Sequence, residues 1–159
     1  MSSRKLFGGN GSLPEFDLLK LEDVSLEIST IQCSYQRWQL PRMHRAGGLV
    51  TFAGTYKHGS AGSDDARFIR WRINEFCDLG YPLLIDGLVI DCRALNYEWG
   101  DDLYFAPSNK PIDFPTLVVI SDSQREAYSG ILGNRDLRFD LNAALAEMTE
   151  LFRQMKPLL

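Results

Sequence analysis

Two uninterrupted apolar runs, Leu88-Val89-Ile90 and Leu117-Val118-Val119-Ile120, do most to restrict what this chain can fold into. Each is far shorter than the roughly 18 apolar residues of a membrane helix. Each also lacks the apolar-polar alternation of a strand with one wet face. Runs of this kind are expected of strands buried on both faces, which belong to largely parallel sheets with helices packed on either side.

The flanking sequence supplies those helices. Between Asp64 and Leu79, the residues Phe68, Ile69, Trp71, Ile73, Phe76 and Cys77 recur at mostly helical spacing, which also places Trp71 in the core. Ser63 is the expected N-cap, Asp64 and Asp65 suit the positive helix end, and Gly80 with Pro82 is the expected stop. Ser123-Gln124-Arg125-Glu126 matches the S-x-x-E capping box and predicts a helix ending at Gly133. Asp140 is expected to cap a final helix whose Leu141, Ala144, Leu145, Met148, Phe152 and Met155 form one apolar stripe.

The remaining strands are weaker in pattern. Val24 to Ile28 alternates, and Ile31 to Tyr35 resumes out of phase. This predicts either one edge strand with a bulge near Ser29-Thr30 or two short strands. Leu49 to Ala53 follows Gly47-Gly48 as a second strand, Asn96 to Tyr104 is expected to form a short helix, and Leu137 to Phe139 a brief strand. The expected architecture is one α/β domain over residues 16–159, with a mostly parallel or mixed β-sheet covered by helices, preceded by a mobile Gly/Ser/Asn-rich tail over 1–15. A chain of 159 residues suits one core.

Several function classes are disfavoured at this level. Arg4 and Lys5 have no apolar segment behind them, so a signal peptide is not expected and the cytoplasm is the expected location. Cys33, Cys77 and Cys92, odd in number and widely spaced in apolar stretches, read as reduced buried thiols. The formal charge of −4 disfavours nucleic acid. It hides an asymmetry, with seven basic residues from Arg37 to Arg72 and nine acids from Glu75 to Asp122.

Leu88 to Leu95, Asn96 to Leu103, Leu117 to Ile120 and the closing helices resemble the architecture of STAS domains, the anti-sigma-factor antagonists. The resemblance implies a regulator that binds partners. The family's phosphorylatable serine turn would fall at Glu98-Trp99-Gly100-Asp101-Asp102, which has no hydroxyl, so phosphorylation switching is not expected. The same segments are similar to the strand-and-helix units of the crotonase superfamily, with Pro115 to Ser121 leading into its oxyanion turn. That turn reads Asp122-Ser123-Gln124-Arg125-Glu126 here, without the family's glycines. Either resemblance is taken as one of fold.

Gly54 to Ala61 has the G-x-x-x-x-G spacing of a phosphate loop, but Ser60 and Ala61 stand where such loops have Lys and Ser/Thr. A flexible turn is expected. His44 and His58 have no nucleophile signature beside them, and Arg67, Arg70 and Arg72 occupy the outer arc of their helix. No catalytic residue, metal site or cofactor is expected. Tyr97, Glu98, Trp99, Asp101, Asp102 and Tyr104 lie past the carboxyl end of a central strand, where ligands of open α/β sheets bind, and mix acids with aromatics as docking surfaces do. The expected function is a non-catalytic protein-binding module, whether a bacterial immunity-type inhibitor masking a toxin or a STAS-like regulator. The alternative is a small crotonase-like enzyme or an acyl-CoA or nucleotide binder.

Overall fold

The computed structural model describes residues 22–40, 42–100, 103–132 and 137–156. The expected tail over 1–15 and the expected helix stop at Gly133 lie outside these residues. Among the described residues the elements are β1 (Gln32–Leu40), β2 (Arg45–Thr55), α1 (Ser60–Cys77), β3 (Gly87–Asn96) and β4 (Thr116–Val119). A 3₁₀ turn (Asp122–Gln124), the short helix α2 (Arg125–Ser129), β5 (Leu137–Arg138) and α3 (Leu141–Gln154) follow.

The strands form one mixed sheet in the order β1-β2-β3-β4-β5. β1 runs antiparallel to β2, and the other three pairings are parallel. Strand alternation sorts the side chains into two layers. Val50, Phe52, Leu88, Ile90, Cys92 and Val118 join Phe68, Ile69, Ile73 and Phe76 of α1 in one core cluster. Leu49, Val89, Leu117 and Val119 face the other way and meet Ala144, Met148 and Phe152 of α3. The two continuous apolar runs are thus explained, since both faces of β3 and β4 are covered. Gly87 lets α3 approach, because a Cβ there would lie 2.7 Å from the Met148 sulfur.

Several sequence expectations are corrected. Residues 22–31 form no strand, and the edge strand begins at Gln32 and runs on to Leu40. The change of phase has a local cause: Ile31 is buried, and the Ser29 hydroxyl donates to Asp65 at 2.6 Å while accepting from the Ile31 N–H at 3.1 Å. α1 starts a turn earlier than expected, with Gly59 at φ 63° as N-cap instead of Ser63. It ends at Cys77, before Gly80. Trp71 is 42% exposed and not in the core. Among the described residues of 96–104 no helix forms: β3 runs to Asn96, and residues 97–100 and 103–104 have no helical assignment. Ser123 caps nothing, its hydroxyl lying 3.2 Å from that of Ser121. The Asp140 cap is present, its carboxylate accepting from the Ala143 N–H at 2.7 Å.

Candidate functional site at the carboxyl rim of the sheet

The parallel pairing of β2, β3 and β4 brings the segments after all three strands to one rim. Buried aromatics hold them there. Tyr97 is 1% exposed and sits between Tyr56 after β2 and Tyr128 of α2, with ring centroids 5.1 and 5.0 Å away. Its N–H donates to the Gln124 side chain at 2.7 Å, and its hydroxyl donates to the Gly100 carbonyl. These bonds replace the helical ones that the segment would otherwise make, and Gly100 sits at φ 147°, in a region that favours glycine.

With Tyr97 anchored, the next two side chains turn outward. The Glu98 carboxylate lies 2.9 Å from His58 Nε2. The Trp99 indole stacks on the His58 ring at 4.9 Å with 29° between planes. Trp99 is 55% exposed, so one ring face is spent on His58 and the rest stays open. His58 is itself placed by a buried carboxylate. Asp65, fully buried in α1, accepts from the Lys57 N–H at 2.8 Å and from the Ser29 hydroxyl at 2.6 Å. The phosphate-loop spacing therefore encloses an internal carboxylate, which takes an amide that would otherwise be offered to an anion. Gly62 lets the loop close on the helix, since a Cβ there would lie 2.3 Å from the Lys57 carbonyl oxygen.

Glu98 and Trp99 form one wall of a cleft of about 510 Å³, and Ser123, Gln124 and Glu126 form much of the other. Two exposed glutamates thus face it beside an indole. The sequence-predicted site residues divide. Glu98 and Trp99 stand at this cleft, and Tyr97, 1% exposed, lines it from the core side while holding the loop. Tyr104 is 57% exposed and lines a different groove, of about 890 Å³, between residues 104–117 and α3. Asp101 and Asp102 lie outside the described residues.

Sequence reasoning missed His58, Gln124 and Glu126. Only the topology, which stacks the ends of consecutive parallel strands, signals that these distant positions meet. The thiols are less available still: burial pushes Cys77 up to about 11 and Cys92 higher again, so neither is a ready thiolate. Among the described residues no group of three or more His, Cys, Asp or Glu is placed to hold a metal ion, and no helix is long and apolar enough to cross a membrane. Comparison with family models, with curated proteins and with solved structures found no match, so the chain's own geometry carries the functional reading.

Proposed function

We propose that the protein is a protein-binding module that docks a basic segment of its partner on the carboxyl rim of the sheet. One observation carries this reading: an exposed indole stacked on His58, with Glu98 bonded to the same ring. A tryptophan ordered before binding contributes large contact area at small entropic cost, which is the character of an interface hot spot. Glu98 and Glu126 give the surrounding cleft negative charge, which favours Lys- or Arg-bearing partners and speeds their capture at low salt. Masking a basic surface in the manner of an immunity protein, or regulating a partner in the manner of a STAS domain, are two uses of such a rim.

The cleft also lies where α/β sheets bind small molecules, and the test separates the two. A photo-crosslinking residue is placed at Ser123, exposed on the opposite wall of the cleft, in the full chain with Trp99 intact, and host lysate is irradiated with and without Glu98→Lys/Glu126→Lys in the same chain. The proposal expects one polypeptide to be captured, with capture falling at least tenfold in the charge-reversed chain and weakening with salt. Absence of any crosslinked polypeptide, together with a rise in melting temperature on adding acyl-CoA compounds, nucleotides or divalent metals, overturns it in favour of a small-molecule site.

A further inference from the structure

Among the described residues the sheet has one long edge, and no described strand pairs with its outer side. β1 presents nine residues there, whereas β5 at the opposite edge has two. Soluble proteins usually blunt such an edge with lysine, proline, a bulge or short length. β1 has no Lys or Pro, and its register with β2 runs unbroken from Gln32 to Leu40.

The direction of the β1 backbone groups follows from β2. The Ala46 N–H donates to Asp86 at 2.8 Å and the Tyr56 N–H to the Asn96 carbonyl at 2.9 Å, so even-numbered residues along β2 face β3. Alternation turns its odd-numbered residues toward β1, where their register partners are Gln32, Ser34, Gln36, Trp38 and Leu40. Cys33, Tyr35, Arg37 and Gln39 therefore point their N–H and C=O groups away from the sheet. Among the described residues none of these groups has a backbone partner outside the strand ladder.

We propose that β1 pairs antiparallel with β1 of a second copy about a two-fold axis at Gln36, making one continuous sheet across the dimer. In this register Tyr35 stands opposite Arg37 and Cys33 opposite Gln39, so every outward-facing residue meets another. A slip of the register by two residues in either direction sets Tyr35 against Tyr35 or Arg37 against Arg37 and leaves Gln39 or Cys33 unpaired.

Charge selects the same register. The Tyr35 hydroxyl donates to Glu75 at 2.9 Å, so the Arg37 guanidinium of one copy arrives beside a carboxylate of the other. Apolar surface accompanies it. Arg37 donates to the Leu84 carbonyl at 3.3 Å, which puts the exposed Leu83 and Leu84 next to the strand. Tyr35, itself partly exposed, reaches the carbonyl of Arg72, the neighbour of exposed Trp71. Because the two-fold pairing uses the same edge of both copies, it closes at two copies and does not propagate. These residues are separate from those of the Trp99 rim, so the two proposals stand or fall apart.

The test is sedimentation velocity on the full chain with single-cysteine crosslinking. Gln36 is not an outward-bonding residue, so on the axis it forms a close non-hydrogen-bonded pair with its own copy, within disulfide reach. Gln36→Cys is expected to form a covalent dimer under mild oxidation. Ser34→Cys, set opposite Trp38, is expected to form none above the background of the native thiols. Gln39→Pro removes only an outward N–H, and Arg37→Glu sets like charges together. Both are expected to weaken dimerisation at least tenfold while leaving the circular dichroism spectrum of the monomer unchanged. A chain that sediments as a monomer up to its solubility limit overturns the proposal. So does a dimer that Gln39→Pro leaves intact and Gln36→Cys fails to link.

Discussion

Asp65 shows how much one residue can decide. Its carboxylate is fully buried in α1 yet bonded to the loop after β2 and to the segment before β1, tying three parts of the chain together. Removing it leaves the Lys57 N–H and the Ser29 hydroxyl without their acceptor, and hydrogen bonds to charged groups contribute about 1.5–3 kcal/mol each. Asp65→Ala is therefore expected to cost about 2–4 kcal/mol in urea unfolding. The neighbouring Asp64, exposed and paired with Arg67 at 3.4 Å, should change stability by less than about 0.5 kcal/mol when replaced by alanine. Equal effects of the two substitutions would refute the tie. Because Lys57 precedes His58, the Asp65 variant should also loosen the stack on Trp99, read as a shift in tryptophan fluorescence.

At the scale of elements, the two long helices begin in different ways. α3 has a side-chain cap in Asp140, and its stripe of Ala144, Met148 and Phe152 is buried against the sheet. α1 begins at a left-handed glycine without a side-chain cap. Asp140→Ala should accordingly destabilise by about 1 kcal/mol, and Asp140→Asn or Asp140→Ser should recover most of that loss. Ser63→Ala should behave unlike a cap deletion, because Ser63 lies inside α1 instead of at its start. The urea midpoints of these variants distinguish a true cap from a sequence pattern that resembles one. The S-x-x-E pattern at Ser123 is the instructive failure: Gln124 is drawn to the Tyr97 N–H, and the segment winds as a 3₁₀ turn before five residues of α-helix.

For the molecule as a whole, the basic and acidic stretches read from the chain meet at particular side chains. Arg45 lies 3.8 Å from Asp86, His58 2.9 Å from Glu98 and Arg72 3.0 Å from Glu75. Two ion pairs, Arg72–Glu75 and Arg138–Glu147, also make stability depend on acid. A hydrogen bond from Arg138 holds Glu147 below its ordinary carboxyl range, and bonds from Arg72 and Tyr35 do the same for Glu75. A carboxylate with a lowered folded-state pKa contributes fully above its unfolded value, and the contribution is lost as pH falls through the folded value. Stability should therefore drop below roughly pH 4.5, and Glu147→Gln should flatten that part of the curve while lowering stability at pH 7. Both carboxylates are substantially exposed, so the change should be small and should shrink in high salt. A pH profile unaltered by Glu147→Gln would show that the pair contributes nothing.

The chain alone determined the α/β class, the doubly covered central strands, the final helix with its Asp140 cap and the rim on which Glu98 and Trp99 stand. Each of these rests on short-range periodicity or on one residue's chemistry, which local sequence carries in full. Tertiary structure decided the rest. It drew Tyr97 inward between two other tyrosines, paired His58 with Glu98 across forty residues, left Trp71 exposed and extended β1 to nine residues at the sheet edge. Those outcomes depend on which strands lie side by side. Sheet order follows from the summed packing of both layers, and no single stretch of sequence records it.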